Sequence, residues 1–249
     1  MKLIQAKNYQ ELSEKAAEMV IRLVKQKPNA VLGLATGSSP TGMYQEMIRD
    51  HQENGTTYRQ IKTVNLDEYV GLDPKHPNSY HYFMVEKLFR HIDLPIANTN
   101  VPNGKAADMN EECRRYDALI QALGGVDLQV LGIGRNGHIG FNEPGTPFET
   151  KTHVVALAHD TRKANARFFN SFQEVPTQAV TMGIQNILES KAILLLVSGT
   201  SKAEAMARLL KDTNETEAFP ASALHRHDNV TIIADADALS LVYDLERRA

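Results

Sequence analysis

The stretch AVLGLATGSS, residues 30–39, decides the fold of this chain. Residues 30–35 are apolar or glycine, a pattern typical of a parallel strand that is buried on both faces. The turn residues Thr36-Gly37-Ser38-Ser39 follow at once, and we expect the next helix to begin near Met43. A buried strand that leads through a small-residue loop into a helix predicts an α/β protein with parallel strands.

The rest of the chain repeats this alternation. Apolar runs predict further strands, and helical periodicity predicts helices between them, including a last helix after the final strand. No linker rich in Pro, Gly or Ser divides the chain, so we predict one domain over residues 1–249. Its core is expected to be a mostly parallel, Rossmann-like open sheet with helices on both faces. The further strands are predicted at residues 61–66, 126–133, 154–158, 192–197 and 230–234.

Composition excludes several classes of protein. The 249 residues include 27 basic and 30 acidic side chains, a net charge of −3 that disfavours nucleic acid as a partner. The longest apolar run, Ala192–Val197, is far shorter than the roughly 20 residues of a membrane span. The N-terminus has no apolar core of signal-peptide length, and the single Cys113 cannot form an intrachain disulfide. We therefore expect a cytoplasmic protein without a membrane partner.

Two loops at predicted strand ends favour phosphate binding. Thr36-Gly37-Ser38-Ser39 and Ser198-Gly199-Thr200-Ser201-Lys202 each join a strand to a helix. Small residues let backbone N–H groups approach an anion, hydroxyls add donors, and a helix N-terminus favours negative charge. Lys202 at a first helical turn is unfavourable unless an anion lies beside it. The alternative for each loop is an ordinary turn with Ser and Thr caps.

A third loop carries side chains suited to acid–base chemistry. Its start, GIGRNG at residues 132–137, matches the dinucleotide-binding pattern, but that pattern must open a helix. The glycines and proline of residues 138–145 predict an irregular loop instead. His138 with Glu143 could act as general base and acid, with Asn136 and Asn142 nearby. The alternative is a loop histidine that caps local backbone.

Asp67 and Glu68 directly follow the predicted strand at residues 61–66. Neighbouring side chains of an extended chain point to opposite sides, so these acids are not expected to form a carboxylate pair. One of them could face the ligand crevice at the carboxyl ends of the strands, and the residues alone leave open which. The cluster at residues 225–228, HRHD, is interpreted as a surface loop, because no further metal-ligand motif accompanies it.

The motifs of these loops resemble those of the glucosamine-6-phosphate deaminases, in the same order and over nearly the whole chain. The resemblance implies a three-layer α/β/α sandwich. It also implies conversion of D-glucosamine 6-phosphate and water to D-fructose 6-phosphate and ammonium, with no metal or other cofactor. The matching stretches are LATGSSP (34–40), NLDEYVGL (65–72), HPNSY (76–80), GHIGFNEP (137–144), ANARFF (164–169) and SGTSKA (198–203).

The same resemblance assigns roles to individual residues. It implies that Asp67 moves the C2 proton of the substrate. It also implies that His138 opens the sugar ring, supported by Asn136 and Glu143. The phosphate of the substrate is expected to contact both small-residue loops and one arginine, through Thr36, Gly37, Ser38, Ser39, Arg167 and Lys202.

Two departures from the family pattern carry expectations of their own. Some members have Asp where this chain has Asn136, and an amide adds no negative charge beside His138, so we expect a shifted pH profile. Larger, hexameric members bind N-acetylglucosamine 6-phosphate through basic residues at positions that correspond here to His153 and Val155. We therefore expect no activation by that ligand, and a monomer rather than a hexamer.

Two other functions compete with this interpretation. A 6-phosphogluconolactonase of the same superfamily is expected to carry Arg after Asp-Glu, whereas Tyr69 follows Glu68 here. A non-catalytic sugar-phosphate sensor would need a DNA-binding segment, and no part of this chain is notably basic. Assays of ammonium release and of lactone hydrolysis separate the two enzyme functions.

Overall fold

Ten strands form two sheets in the computed structural model, which describes residues 1–242 apart from the side chains of Asp160 and Ala164. In chain order the strands are β1 (Lys2–Ala6), β2 (Val31–Leu34), β3 (Lys62–Asn65), β4 (Asp67–Tyr69), β5 (Thr99–Asn100), β6 (Leu128–Gly132), β7 (His153–Ala156), β8 (Gln178–Thr181), β9 (Ile193–Val197) and β10 (Val230–Asp235). Seven of them make a parallel sheet in the order β1-β10-β9-β6-β2-β3-β5, which confirms the predicted sheet.

Helices cover both faces of the seven-stranded sheet. Within the described residues they are α1 (Tyr9–Gln26), α2 (Ser38–Asn54), α3 (Tyr80–Lys87), α4 (Met109–Ala122), α5 (His159–Asn165), α6 (Ile184–Leu188) and α7 (Ala203–Lys211). On one face, α1, α2 and α3 contribute Leu12, Met43 and Met84 to an apolar core. On the other face, α4 and α7 contribute Tyr116 and Met206 to a second core. The predicted three-layer α/β/α sandwich is therefore confirmed.

The strand order creates a crevice at one edge of the sheet. From β2 the chain moves outward through β3 to β5, and then returns to the other side of β2 with β6 before it continues to β9 and β10. The connections that leave β2 and β6 thus diverge in opposite directions. Open α/β sheets bind their ligands at such a switch point, outside the carboxyl ends of the strands.

A small antiparallel sheet, β4-β8-β7, lies beyond the carboxyl end of β3. Leu66 alone separates β3 from β4, and its carbonyl accepts the N–H of Met182 at 2.7 Å, which joins the two sheets. The strand predicted at residues 154–158 ends two residues beyond the observed end of β7, and the sequence analysis did not predict β8. The sequence analysis also placed Asp67 and Glu68 at the end of the strand at residues 61–66, whereas both belong to β4. In this second sheet, Asp67 lies opposite Thr181.

Helix α2 begins earlier than the sequence predicted, at Ser38 rather than near Met43. Gly37 precedes it with φ of 94° and ψ of −173°, a conformation that favours glycine. Pro40 falls in the first turn, where its missing N–H removes no helical hydrogen bond. Ser38 and Ser39 are therefore the first residues of a helix, and not loop residues.

The remaining differences lie at the ends of the chain and near residue 160. The edge strand β1 pairs with β10 and lacks the long apolar run of the central strands, so the sequence analysis did not predict it. Residues 161–169 have a pattern that predicts a short helix, and the structure has α5 there, followed by a 3-10 turn, Ala166–Phe168. A helical turn begins at residues 240–242, and the rest of the predicted last helix lies outside the described residues.

One buried carboxylate joins the amino ends of the central strands. Asp127, just before β6, accepts the backbone N–H of Val31 in β2 at 2.8 Å. Its oxygens also accept the ammonium groups of Lys27 at 2.8 Å and Lys191 at 2.7 Å. Burial by itself would raise the pKa of Asp127, but the hydrogen bonds and charges of the two lysines lower it overall. This cluster lies at the edge of the sheet opposite the crevice.

Candidate active site

The side chains singled out from the sequence lie on loops that share one edge of the sheet. Strands β3, β2, β6 and β9 are consecutive neighbours, and all run in the same direction. Asp67 follows β3, and the start of α2 follows β2. The loop of His138 follows β6, and Lys202 follows β9. The sheet thus brings residues that are far apart in sequence to the two sides of the switch point.

The structure distinguishes between Asp67 and Glu68. The two oxygens of Glu68 accept the N–H groups of Tyr80 and His81 at the start of α3, and one of them also accepts the N–H of Tyr69. Glu68 therefore has a structural partner for each oxygen. Asp67 as a residue is only 7% exposed, and none of the described residues donates a hydrogen bond to its carboxylate.

Burial shapes the proton affinity of Asp67. Removal from water disfavours its charged form, and the neighbouring charge of Glu68 adds to the effect, so the pKa of Asp67 rises to about 8. Asp67 Oδ2 lies close to the His138 loop, since a Cβ added to Gly140 would stand 3.8 Å from it. A carboxylate with raised proton affinity at the edge of a crevice is suited to accept a proton from a bound ligand.

His138, Asn136 and Glu143 form a contiguous group on the loop after β6. The Nδ1 atom of His138 lies 3.5 Å from Oε2 of Glu143, and the amide of Asn136 donates to the same oxygen at 2.7 Å. Gly134 leaves the room that the imidazole occupies, because a Cβ there would stand 2.3 Å from the ring of His138. Residues 133–152 contain no helix, which confirms the irregular loop predicted in place of a dinucleotide-binding helix.

The surroundings of Glu143 favour its ionised form. Burial by itself would raise its pKa, but the interactions with His138 and Thr161 and the hydrogen bond from Asn136 lower it to about 2. The hydroxyl of Thr161, on α5, donates to Oε1 of Glu143 at 2.6 Å. Asn142, by contrast, is fully buried and donates to the carbonyls of Ile139 and Met182, so its role is structural.

The start of α2 offers backbone donors at the edge of the crevice. The first N–H groups of a helix have no partner within the helix, and none of the described side chains caps α2. Tyr9 of α1 fixes this turn, because its hydroxyl donates to the carbonyl of Ser38 at 2.6 Å and accepts the N–H of Gly42 at 2.8 Å. The sequence analysis did not identify Tyr9. The arrangement suits an anion at Gly37, Ser38 and Ser39.

Three cations lie on the other side of the switch point. Lys202 is largely buried, and its pKa is lowered first by burial and then by the positive charges of Arg135 and Arg167. Among the residues that the structure describes, none of the three forms an ion pair with a carboxylate. Arg135 also lines an open cavity of about 420 Å³ together with Thr200 and Ser201. Unpaired cations that repel one another favour an anionic ligand between them.

The sequence analysis did not identify Arg135, although it lies next to Asn136 in the same loop.

The loop at residues 198–202 differs from the prediction, because a carboxylate of the protein already accepts hydrogen bonds from it. Asp235, at the end of β10, accepts the hydroxyl of Ser198 at 2.5 Å and the N–H of Gly199 at 3.1 Å. Lys202 closes a 3-10 turn, Thr200–Lys202, that follows this contact. The loop can therefore offer an anion the side chain of Lys202, but not the N–H of Gly199.

The other candidates lie on elements that carry none of the residues grouped above. His153 and Val155 lie on β7, and Cys113 is buried in α4. Among the side chains that the structure describes, no group of three or more His, Cys, Asp and Glu is placed to hold a metal ion. No helix within residues 1–242 is long and apolar enough to cross a membrane.

Comparison with known proteins assigns the family. The model for glucosamine-6-phosphate isomerases and 6-phosphogluconolactonases matches residues 5–233. The chain belongs to this family. It is 61% identical over 248 residues to the glucosamine-6-phosphate deaminase of Geobacillus sp. (strain WCH70), covering 100% of this chain and 98% of that protein. It is 55% identical over 241 residues to glucosamine-6-phosphate deaminase 1 of Bacillus subtilis (strain 168), covering 97% and 99%.

Solved structures of family members share the fold. A structure described as a monomeric glucosamine-6-phosphate deaminase superposes with a TM-score of 0.95 at 55% identity, covering 97% of this chain and 100% of that one. The 6-phosphogluconolactonase of Thermotoga maritima superposes with a TM-score of 0.73 at 20% identity, covering 94% of this chain and 98% of that one. The second likeness establishes only the common fold.

Proposed function

We propose that this chain converts D-glucosamine 6-phosphate and water to D-fructose 6-phosphate and ammonium. The observation that carries the proposal is the buried carboxylate of Asp67, which receives no hydrogen bond from the described residues and lies beside the loop of His138 and Glu143. Relatives that are 55–61% identical over nearly the whole chain are named for this deaminase activity. The proposal assigns one base to each of the two proton transfers that the reaction needs.

In the first step, His138 opens the sugar ring. Its imidazole takes the proton of the anomeric hydroxyl and delivers a proton to the ring oxygen as the bond between C1 and that oxygen breaks. Glu143 lies on the Nδ1 side of the ring and favours the imidazolium that forms between the two transfers. Asn136 keeps Glu143 in place through its hydrogen bond of 2.7 Å.

In the second step, Asp67 moves a proton between two carbons. Once the ring is open, the carbonyl at C1 makes the proton on C2 acidic, and Asp67 removes it. The proton returns to C1, and one proton of the substrate's ammonium group passes to O1, which becomes a hydroxyl, so that an iminium remains at C2. Water adds to that carbon, and ammonia leaves with the original nitrogen, so that the ketose phosphate remains. The raised pKa of Asp67, about 8, makes it a stronger base than an ordinary aspartate.

The phosphate of the substrate binds between the start of α2 and the cations. Backbone N–H groups at Gly37, Ser38 and Ser39, with the hydroxyl of Thr36 beside them, face it from one side. Lys202 and Arg167 neutralise its charge from the other side, which explains how two cations near one another have no acidic partner among the described residues. The phosphate is remote from C1 and C2, so these residues contribute to affinity more than to chemistry.

The direct test of the proposal is Asp67→Asn, assayed by ammonium release from D-glucosamine 6-phosphate. We expect turnover to fall by roughly 10²–10⁴-fold, the usual contribution of a positioned base, while calorimetry still detects substrate binding. Asp73→Asn is the matched control, because Asp73 is an exposed acid nearby in the sequence.

Two outcomes would contradict the proposal. Near-normal turnover of Asp67→Asn would remove this residue as the base. Hydrolysis of 6-phosphogluconolactone by the unaltered protein, without ammonium release from the amino sugar, would assign the chain to the other activity of its family.

A further inference from the structure

Thr161 and Glu143 share the shortest hydrogen bond around the proposed ring-opening group. Oε2 of Glu143 faces Asn136 and His138, and the hydroxyl of Thr161 donates to Oε1 at 2.6 Å. The main-chain carbonyl of Glu143 is fixed separately, by the hydroxyl of Thr146 at 2.7 Å. The backbone of Glu143 is thus held by its own loop, whereas the orientation of its carboxylate depends on Asn136 and Thr161.

Thr161 comes from a different part of the fold than the group it contacts. Helix α5 lies outside the central sheet, and Arg162 ties it to the carbonyl of Val175 through a hydrogen bond of 2.9 Å. The sequence analysis did not identify Thr161 as a candidate site residue. Its side chain nevertheless contributes to the lowered pKa of Glu143.

We propose that Thr161 is a positioning residue for ring opening, whose hydroxyl holds the Glu143 carboxylate in the orientation that faces His138. The proposal rests on the proposed roles of Glu143 and His138. A carboxylate can rotate about its last side-chain bonds, and a donor on each oxygen fixes that rotation. Without Thr161, the Oε1 atom loses its only donor among the described residues, and Oε2 no longer has a single position relative to Nδ1 of His138.

The test compares Thr161→Val, which removes the hydroxyl and keeps the shape, with Thr161→Ser, which keeps the hydroxyl. We expect Thr161→Val to lower kcat by about tenfold, the value of one hydrogen bond to a charged group, with little change in KM. Thr161→Ser should restore most of the loss. The control is Thr57→Val, because Thr57 donates an equivalent hydrogen bond of 2.7 Å to Asp93, far from the site. That control should leave kcat unchanged.

A double-mutant cycle separates positioning from a general loss of structure. If Thr161 acts through Glu143, Thr161→Val should change kcat by less than about twofold in a Glu143→Gln background, because the group it positions is already lost. A full tenfold effect in both backgrounds, or no effect in the unaltered protein, would overturn the proposal. A normal kcat for Glu143→Gln alone would instead show that the proposed role of Glu143 is wrong.

Discussion

Asp67 and Glu68 are adjacent acids that the fold treats in opposite ways. Glu68 receives three backbone N–H groups and becomes part of the start of α3, while Asp67 stays buried without a donor among the described residues. The alternation of an extended chain predicts that their side chains diverge. It does not predict which one meets α3, because that depends on where residues 79–81 return in space. The family resemblance implies that Asp67 is the base, and that role is part of the proposed function.

The raised pKa of Asp67 carries a stability cost that depends on pH. Its pKa in the folded protein is about 8, above the ordinary value of about 3.9, so ionisation is harder in the fold than in the unfolded chain. The stability associated with the protonated form is complete below pH 4 and is lost as the pH rises through 8.

We therefore expect Asp67→Asn to unfold at a higher temperature than the unaltered protein at pH 9, by several degrees. At pH 4 the two proteins should unfold at nearly the same temperature. The difference at high pH corresponds to at most about 5 kcal/mol, four pKa units at 1.36 kcal/mol each. Thermal unfolding followed by circular dichroism over this pH range tests the expectation. A difference that does not change with pH would mean that Asp67 is not buried as described.

At the scale of elements, the loop between β9 and α7 depends on Asp235. Its carboxylate accepts hydrogen bonds from the hydroxyl of Ser198 and from the N–H groups of Gly199 and Ala238, and so joins this loop to the end of β10. Loss of that contact would free the 3-10 turn that ends at Lys202.

We expect Asp235→Ala to raise KM for D-glucosamine 6-phosphate by about tenfold and to change kcat little, because the proposed contact of this loop is with the phosphate and not with the reacting carbons. Steady-state ammonium release tests this expectation, with the exposed Asp237→Ala as control. A fall in kcat at constant KM would place this loop near C1 and C2 instead.

The elements also show how far the sequence predicts the site. Apolar runs and small-residue loops predicted the central strands and their ligand-binding ends, since burial and turn chemistry are local properties. The start of α2 was predicted too late, because Ser38, Ser39 and Pro40 are typical of a turn as well as of the first turn of a helix. Thr161, Arg135 and Asp235 could not be predicted, because each acts on a group from another part of the chain.

At the scale of the whole molecule, Asp127 stabilises the edge of the sheet opposite the site. We expect Asp127→Asn to lower the free energy of unfolding at pH 7 by about 2 kcal/mol, since two lysines and one N–H lose a charged partner. The lowered pKa of Asp127 contributes stability above pH 4, which is lost as the pH falls through the folded-state pKa. Urea unfolding should therefore show a gap between the two proteins that narrows below pH 4. A gap that persists in acid would point to packing instead.

The distance between Asp127 and the crevice has a practical consequence. The contacts of Lys27, Val31 and Lys191 with Asp127 are made at the amino ends of the strands, whereas every proposed catalytic group lies beyond the carboxyl ends. The contribution of the Asp127 cluster to stability therefore comes from side chains that have no proposed part in turnover. A protein engineer could strengthen this cluster for use at elevated temperature without a kinetic penalty.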